Sequence, residues 1–507
     1  MPTATLVRPA EGPAPTTTAP TAATRYGPWL LLSAFALVFV VQGAARITMP
    51  FGNSHDGRNG AVWGLESRAI REQGPLASRL GARSPYLPAP YADHPPLIAI
   101  ETAAAEAVGG ERPAVTRAPA WLGALATVAL LYVLLRDLKV DALPAALGVV
   151  TGLGSGMFFL YGTMLDTLQT SLPFALGVLI LWNRRRHGRG PRARWLAVAC
   201  LLLVLASWEG ALLVAVLSAA DLLHGWRTHH RLRFPPTLAA LAVGALLVGI
   251  WIWWADGGLG AILAQLRERT GTGTASVSWS SFANQQFDYA RTVFNPVVTL
   301  LAVPFVVIAL LDRRTRLLCA VTLGTACLYT LAMHEAAYVH DYWNYWLLVP
   351  LTIGAAATLD RMRRALLARD AARHGATIAI TALGAVLALN GLASIRSYSD
   401  AVVTAAEPAR VVQRTGLARG QRVTYVALRN PGSAPWVAYL TRARLASVTS
   451  RHAVVALARS RPDDRILVSC SSGPAAGTCP RLGDRRAVVL MPTVRELAAA
   501  LAATHHS

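Results

Sequence analysis

The sequence predicts a polytopic, all-α membrane protein of about eleven transmembrane elements, followed by a small α/β domain outside the membrane. Three observations carry this. The 507 residues are 54% hydrophobic and only 15% charged, with a mean hydropathy of +0.40, whereas soluble chains devote about a quarter of their residues to charge. Ten apolar stretches approach the roughly 20 residues that a bilayer crossing needs. Between them lie short arginine-rich segments of the kind that stay in the cytoplasm.

Residues 1–24 are rich in Pro, Thr and Ala and read as a disordered cytoplasmic tail. The apolar run 29–47 has no small-residue cleavage site and reads as a retained span rather than a signal peptide. Further candidate spans are 114–135, 143–161, 168–182, 195–224, 235–254, 294–311, 317–333, 342–359 and 376–395, which makes 25–395 a transmembrane domain. Segments 136–141, 183–194, 224–234, 312–316 and 360–374, with the two arginines of the N-terminal tail, hold 21 of the 48 basic residues and mark the cytoplasmic side. Two of them flank 195–224, so this stretch must cross an even number of times; a hairpin with its tip at residues 207–210 satisfies parity. It also moves Glu209 away from the hydrocarbon centre, where a carboxylate is costly.

The remaining long segments then share the external face: 48–113, a Gly/Thr/Ser-rich loop at 255–295 that reads as a mobile lid, and the tail 396–507. In the tail, 423–428, 466–470 and 487–491 have the pattern of strands, and 435–440 and 494–501 that of helices. Cys470 and Cys479 fall there, on the oxidising side, where a disulfide between them is compatible with the compartment. Cys200, Cys319 and Cys327 lie in spans as packing residues. The net charge of +21 would suggest a nucleic-acid partner in a soluble chain. Here it is mainly a topology signal: the basic segments are short, are separated by spans and lack the aromatic spacing of a nucleic-acid binder. Only Arg46 and Arg117 stand at span ends outside these segments.

The first external loop is the most informative stretch. It reads Asn53-Ser-His-Asp56-Gly-Arg58-Asn-Gly and continues to Glu66-Ser-Arg68, with Tyr91-Ala-Asp-His94-Pro-Pro-Leu97 further on. An acid within about ten residues of the outer end of the first span, followed by an amphipathic stretch and a His-Pro-Pro-Leu motif, resembles the GT-C superfamily of integral-membrane glycosyltransferases. Within it the likeness is to glycosyltransferase family 39, which includes protein O-mannosyltransferases and aminoarabinose transferases. The likeness covers roughly the first 360 residues in order and topology, and its specific part is the first loop.

The resemblance implies an inverting transfer of a hexosyl or pentosyl unit from a polyprenyl-phosphate donor to an acceptor hydroxyl at the outer face of a bacterial plasma membrane. The acceptor is a lipid, a polysaccharide or a protein, and membrane lipids are the surroundings. A hydroxyl is a poor nucleophile and needs a carboxylate to take its proton; Asp56 matches the family's catalytic acid. Its simpler reading is a cap on the helix starting near Gly57. Many relatives have a second acid after the first, whereas here Gly57 follows. The phosphate leaving group calls for cations, to be found among Arg58, Arg68, Arg71, His94, Arg267, Arg269, Arg291, His334 and His340. His340, in Tyr338-Val-His-Asp-Tyr342-Trp, resembles the family's segment at the start of a late helix and is the expected phosphate ligand with Arg58 and Arg291; an interfacial aromatic belt is the alternative for this segment.

Asp166 resembles a second family acid and is expected near Asp56, although a carboxylate at a helix N-terminus is also favoured by the macrodipole. Tyr91, His94, Glu209 and Tyr342 are expected to shape the site. Glu209 stands where relatives have lysine and is expected to pair with a first-loop arginine. No metal-binding motif occurs and no cofactor is implied with certainty; family members differ in using a divalent metal, so a metal stays open. A transporter or lipid flippase is the competing class, but such proteins place ionisable groups mid-bilayer in repeated halves, and this sequence has neither feature.

Overall fold

The computed structural model describes residues 22–367, except 53, 88, 191, 231–233, 273–275 and 295, and beyond them scattered positions between 375 and 386, 456 and 459, and the short segments 423–426, 435–441, 445–448, 465–469 and 488–491. The first described helix is α1 (Ala22–Ile47), whose apolar length suits a crossing, and it is followed by α2 (His55–Gln73) and α3 (Leu97–Gly109). A single turn, α4 (Pro113–Thr116), leads into α5 (Ala118–Asp137), where a proline in the first turn needs no hydrogen-bonded amide. Next come α6 (Ala142–Leu153), α7 (Gly156–Tyr161), α8 (Thr167–Arg186), α9 (Ala193–Ala206), α10 (Trp208–His229) and α11 (Pro236–Asp256). Gly257, at φ 81°, ends α11 in the left-handed region.

The segment expected to be a lid contains two helices, α12 (Gly260–Arg269) and α13 (Trp279–Thr292). The bundle is completed by α14 (Pro296–Leu311), α15 (Arg316–Ala332), the short α16 (His334–Val339), a 3-10 helix (Asp341–Leu347) and α17 (Leu348–Leu367).

Four helical segments are long and apolar enough to cross a membrane by themselves among the described residues: Tyr26–Ile47, Ala118–Asp137, Trp208–Thr228 and Pro236–Asp256. A fifth results if α13 and α14 are taken as one broken span, and α6, α9 and α15 are shorter apolar helices. The protein is an integral membrane protein. Large apolar side chains such as Leu37, Leu246, Ile250, Leu300 and Val303 stand on its outside, where only an apolar solvent suits them. The expected single span 143–161 is two helices. Gly156 brings the backbone against Val293, whose carbonyl accepts from Met157 at 2.7 Å, and a Cβ at 156 would lie 2.8 Å from that oxygen. The break expected within 195–224 is found at Ser207, whose extended backbone separates α9 from α10.

Packing is closest around α17. Gly148 and Gly152, one turn apart on α6, let the two backbones approach: a Cβ on Gly148 would sit 2.4 Å from the Ala356 Cβ, and one on Gly152 2.7 Å from the Thr352 Cα. On another face, Gly354 admits the Phe305 carbonyl of α14. Small residues at four-residue spacing are the usual means of close helix contact in lipid, where apolar side chains gain little from leaving the solvent. Phe35, Phe39, Phe158 and Phe159 form an edge-and-face aromatic cluster joining α1 to α7. At the arginine-rich end, ion pairs tie helix ends together: Arg184–Asp137 at 2.6 Å, Arg314–Asp360 at 2.9 Å and Arg363–Asp141 at 2.5 Å.

In the tail, β1 (Val423–Val426), α18 (Pro435–Thr441), β2 (Leu445–Val448), β3 (Arg465–Ser469) and β4 (Val488–Met491) are described. The sheet order is β2-β1-β3-β4, with β1 parallel to β2 and β3, and β3 antiparallel to β4. Val423 faces Leu445 and Arg465, and Ile466 faces Met491. Strand β2 had no sequence expectation. The helix expected at 494–501, the boundary near 395, residues 1–21, most of the span expected at 376–395, and Cys470 and Cys479 lie outside the described residues.

The α6–α17 contact predicts that Gly148→Leu will separate the helices. Overpacking of this kind costs about 1–3 kcal/mol, so thermal unfolding of the detergent-purified variant is expected at lower temperature than wild type. Gly177→Leu, at a site with nothing within 4 Å of an added Cβ, is expected to unfold close to wild type.

Candidate active site

The start of α2 is set by small residues. Ser54 caps the helix, its hydroxyl accepting from the Gly57 amide at 3.0 Å, so the cap is Ser54 and not Asp56. A Cβ at Gly57 would lie 2.3 Å from the Gly52 nitrogen and 2.4 Å from its oxygen. This explains why no second acid follows Asp56: no side chain fits there. One turn on, Gly60 admits the Phe51 ring.

Asp56 therefore turns to Arg117, which holds it with two hydrogen bonds, Nε to Oδ1 at 3.1 Å and Nη2 to Oδ2 at 2.5 Å. The same guanidinium donates to the Ile47 and Met49 carbonyls at 3.1 and 2.7 Å and lies 4.3 Å from the Phe51 ring centre. Arg46, buried at the end of α1, also acts electrostatically on Asp56.

Asn59, three residues after Asp56 and so on a neighbouring face of the helix, crosses to the second acid. Its amide donates to Asp166 Oδ2 at 2.6 Å and to the Tyr342 hydroxyl at 3.1 Å. Asp166 also caps α8, accepting from the Leu168 amide at 3.4 Å, so the capping and site readings hold together. Burial pushes its carboxyl up to about 6, against the opposing pull of the Leu168 and Thr167 hydrogen bonds and the Arg269 charge.

Around this link the rings of His55, His340 and Tyr342 meet at centroid distances of 4.9, 5.2 and 5.5 Å. Tyr161 lies beside Tyr342 and donates its hydroxyl to Asp341 at 2.5 Å.

His340 lies beside His55 and Tyr342. Burial, reinforced by His55, Arg269 and Arg58, pushes its imidazole down to about 3. At neutral pH it is an uncharged ring with its Nδ1 unpartnered among the described residues, suited to hydrogen bonding rather than to charge compensation. The cation beside it is Arg269, from the loop expected to be a lid. Arg269 lies 4.0 Å from Asp93 and 5.9 Å from the Trp343 ring centre, and its charge acts on Asp166, His340 and His94. Arg58 acts on His55 and His340.

Arg291, expected with Arg58 and His340 at the phosphate, is placed apart from them. It sits on α13 with its side chain 68% exposed and paired to Asp288 at 2.9 Å, and is not among these groups.

Tyr91 and His94 pack with Trp63 of α2 at ring distances of 5.8 and 5.9 Å. Burial, then the charge of Arg269, holds the His94 ring well below the usual range. Their loop is anchored by Trp208, which donates to the Asp93 carbonyl at 2.8 Å, and by Gln265, which donates to the Asp93 carboxylate. Glu209 is buried at the start of α10 and its hydrogen-bond partners are Tyr329 and Ser207; the expected pairing with a first-loop arginine is not found among the described residues.

On the opposite side of α2, Arg68 donates to the Ala438 and Tyr439 carbonyls of α18 at 3.1 and 2.6 Å and pairs with Glu111. Glu106 accepts from Ser67, Thr116 and Arg71 at 2.5, 2.5 and 2.9 Å. Arg68 thus holds the loop to the tail and Arg71 ties α2 to Glu106 and Glu111, so neither is free to meet a ligand. Among the described residues no group of three or more His, Cys, Asp or Glu side chains converges as a metal ligand set.

Sequence reasoning missed Asn59, His55 and Arg117, and preferred Arg291 to Arg269. A signal existed for Arg117: it and Arg46 were the two basic residues at span ends that topology did not explain.

No family model matches the sequence, and no curated protein matches it. Solved structures similar in fold include two of ArnT. ArnT from Cupriavidus metallidurans bound to undecaprenyl phosphate superposes with a TM-score of 0.64 at 14% identity, covering 92% of this chain and 98% of that one. ArnT from the same organism in the apo state gives a TM-score of 0.60 at 15% identity, with 95% and 99% covered. At such identity the likeness is one of fold, and in fold the chain is built as ArnT is.

Proposed function

We propose that the protein is a glycosyltransferase of the bacterial plasma membrane that moves a sugar from a polyprenyl-phosphate donor to an acceptor hydroxyl, with inversion, at the extracytoplasmic face. The observation that carries this reading is the convergence of Asp56, Asn59, Asp166, His340, Tyr342 and Arg269 at one end of an apolar bundle. The ArnT fold, seen elsewhere with undecaprenyl phosphate, supports a lipid phosphate as the donor's leaving group. In this reading residues 25–395 are the catalytic domain and 396–507 an extracytoplasmic domain that braces the first loop through α18.

The chemistry follows from the groups present. The acceptor oxygen attacks the anomeric carbon on the face opposite the phosphate, the carbon–oxygen bond to the phosphate breaks, and the acceptor proton passes to Asp56. Arg117 fixes the direction of that carboxylate. Charge appearing on the departing phosphate is met by Arg58 and Arg269, pre-arranged in a region of low dielectric where their effect is large. His340, neutral, offers a hydrogen bond to a phosphate oxygen. Tyr91 and His94 line the sugar or acceptor side. Asp166 is a positioning residue: its carboxylate holds Asn59, and through it α2, against the Tyr342 segment.

Two measurements check this reading. In membranes supplied with a labelled lipid-linked sugar, Asp56→Asn is expected to lower transfer by about 10² or more while the purified protein keeps its size-exclusion profile; undiminished transfer would overturn the assignment. Lipid flipping in vesicles without any sugar transfer by wild type would instead favour the transport class.

The second measurement is a pH profile. Asp166 titrates at about 6, so as pH falls through that value the carboxylate gains a proton, its grip on the Asn59 amide weakens and the transfer rate falls. Asp166→Asn keeps an acceptor oxygen but cannot titrate, and is expected to lose this acid limb. A limb unchanged in the variant would exclude Asp166 as its source.

A further inference from the structure

A second polar feature lies at the far end of the molecule. Helix α8 begins at Asp166 in the candidate active site and ends at Arg186; at 1.5 Å per residue it carries the chain about 30 Å away. There the ends of α8 and α10 and the starts of α11 and α15 enclose a cavity of about 610 Å³. Arg185, Arg186, Arg313, Arg314 and Arg316 line it, against the single acid Asp221.

The pairing within this group is uneven. Arg186 is bound to Asp221 at 3.2 Å and lies over the Trp182 ring at 4.9 Å. Asp221 also accepts from the Trp182 indole at 3.0 Å, so this acid is fully engaged. Arg314 is held by Asp312 and Asp360. Arg185, Arg313 and Arg316 have no ion-pair partner among the described residues, although like charges gathered around one cavity repel one another. The wall also includes Asn183, 5% exposed, whose Nδ2 is buried with no hydrogen-bond partner. A buried amide donor without an acceptor is costly, and an oxygen ligand in the cavity would satisfy it. Besides His187 and His224, the remaining wall is apolar and includes side chains open to the outside of the bundle: Phe234 is 72% exposed and Leu317 39%.

We propose that this cavity binds the phosphodiester headgroup of an anionic phospholipid of the cytoplasmic leaflet. Arg185, Arg313, Arg316 and the Asn183 amide receive the phosphate, and the acyl chains leave past Phe234 and Leu317. Cationic pockets between helices at this depth suit lipid phosphates, and a polybasic site gains from the charge of the surrounding leaflet. The apolar exit favours a lipid over free phosphate. The site requires a membrane-spanning chain but not the transferase reading, and it is tested without any sugar donor, so failure of one leaves the other standing.

The test is lipid binding by the full-length protein in detergent, read by native mass spectrometry with added phosphatidylglycerol or phosphatidylcholine. Wild type is expected to prefer phosphatidylglycerol by about tenfold or more. Combined Arg185→Gln, Arg313→Gln and Arg316→Gln, at exposed positions outside any ion pair, is expected to abolish that preference without changing the lipid-free unfolding temperature. Combined Arg189→Gln, Arg227→Gln and Arg361→Gln, which removes the same charge off the cavity, is expected to keep it. Equal binding of the two lipids by wild type, equal loss in both triple variants, or displacement of the lipid by inorganic phosphate alone would each overturn the proposal.

Discussion

Arg117 is the fixed point on which the half of the structure that carries the candidate site depends. It is 1% exposed, and a guanidinium so buried is tolerable only when its donors are satisfied. They are satisfied by the Ile47 and Met49 carbonyls where α1 ends and by the carboxylate of Asp56 at the start of α2, with the Phe51 ring packed on the guanidinium. Removing one partner of a buried pair costs about 3–5 kcal/mol because the other charge is left alone. The first turn of α2 is therefore held where Asn59 can reach Asp166 and Tyr342, and the aromatic and histidine groups assemble around that contact.

The rest of the site follows from the solvent. In hydrocarbon the backbone bonds to itself and polar side chains are driven to the ends of helices or to one another. Asp166 caps α8, Glu209 lies beside the Ser207 break and His340 precedes the 3-10 helix, so each stands at a helix end. Burial there holds His94 and His340 uncharged and Asp166 poised between its two states. That leaves positive charge to the arginines, Arg58 and Arg269, which burial cannot neutralise in the same way.

Much of this was legible in the sequence, for physical reasons that also mark where legibility ended. The alternation of apolar runs with arginine-rich segments reports burial in lipid directly. The first-loop motif is local, so Asp56, Arg58, Tyr91 and His94 could be named from the family resemblance that this stretch carries. The division of the chain at Ser207 could be inferred from parity and from the cost of Glu209 in a single span. The break before Gly156 could not, since its cause is a backbone contact with Val293, more than a hundred residues away. Arg269 and Arg291 are both arginines of the segment 255–295, and only the fold turns the first inward and leaves the second paired with Asp288 on the surface. Glu209 and Tyr329 likewise meet only through packing of α10 on α15.

The two ends of the molecule are chemically distinct: one gathers acids, neutral histidines and tyrosines around a few buried arginines, and the other gathers exposed arginines around a cavity. The central claim is that the donor's phosphate is received at the first of these. The most direct measurement is a structure of the protein with a polyprenyl-phosphate analogue bound. The account predicts the phosphate among Arg58, Arg269 and His340, within reach of the anomeric carbon that Asp56 serves. A phosphate bound elsewhere on the external face, or found only in the Arg185–Arg316 cavity, would contradict it.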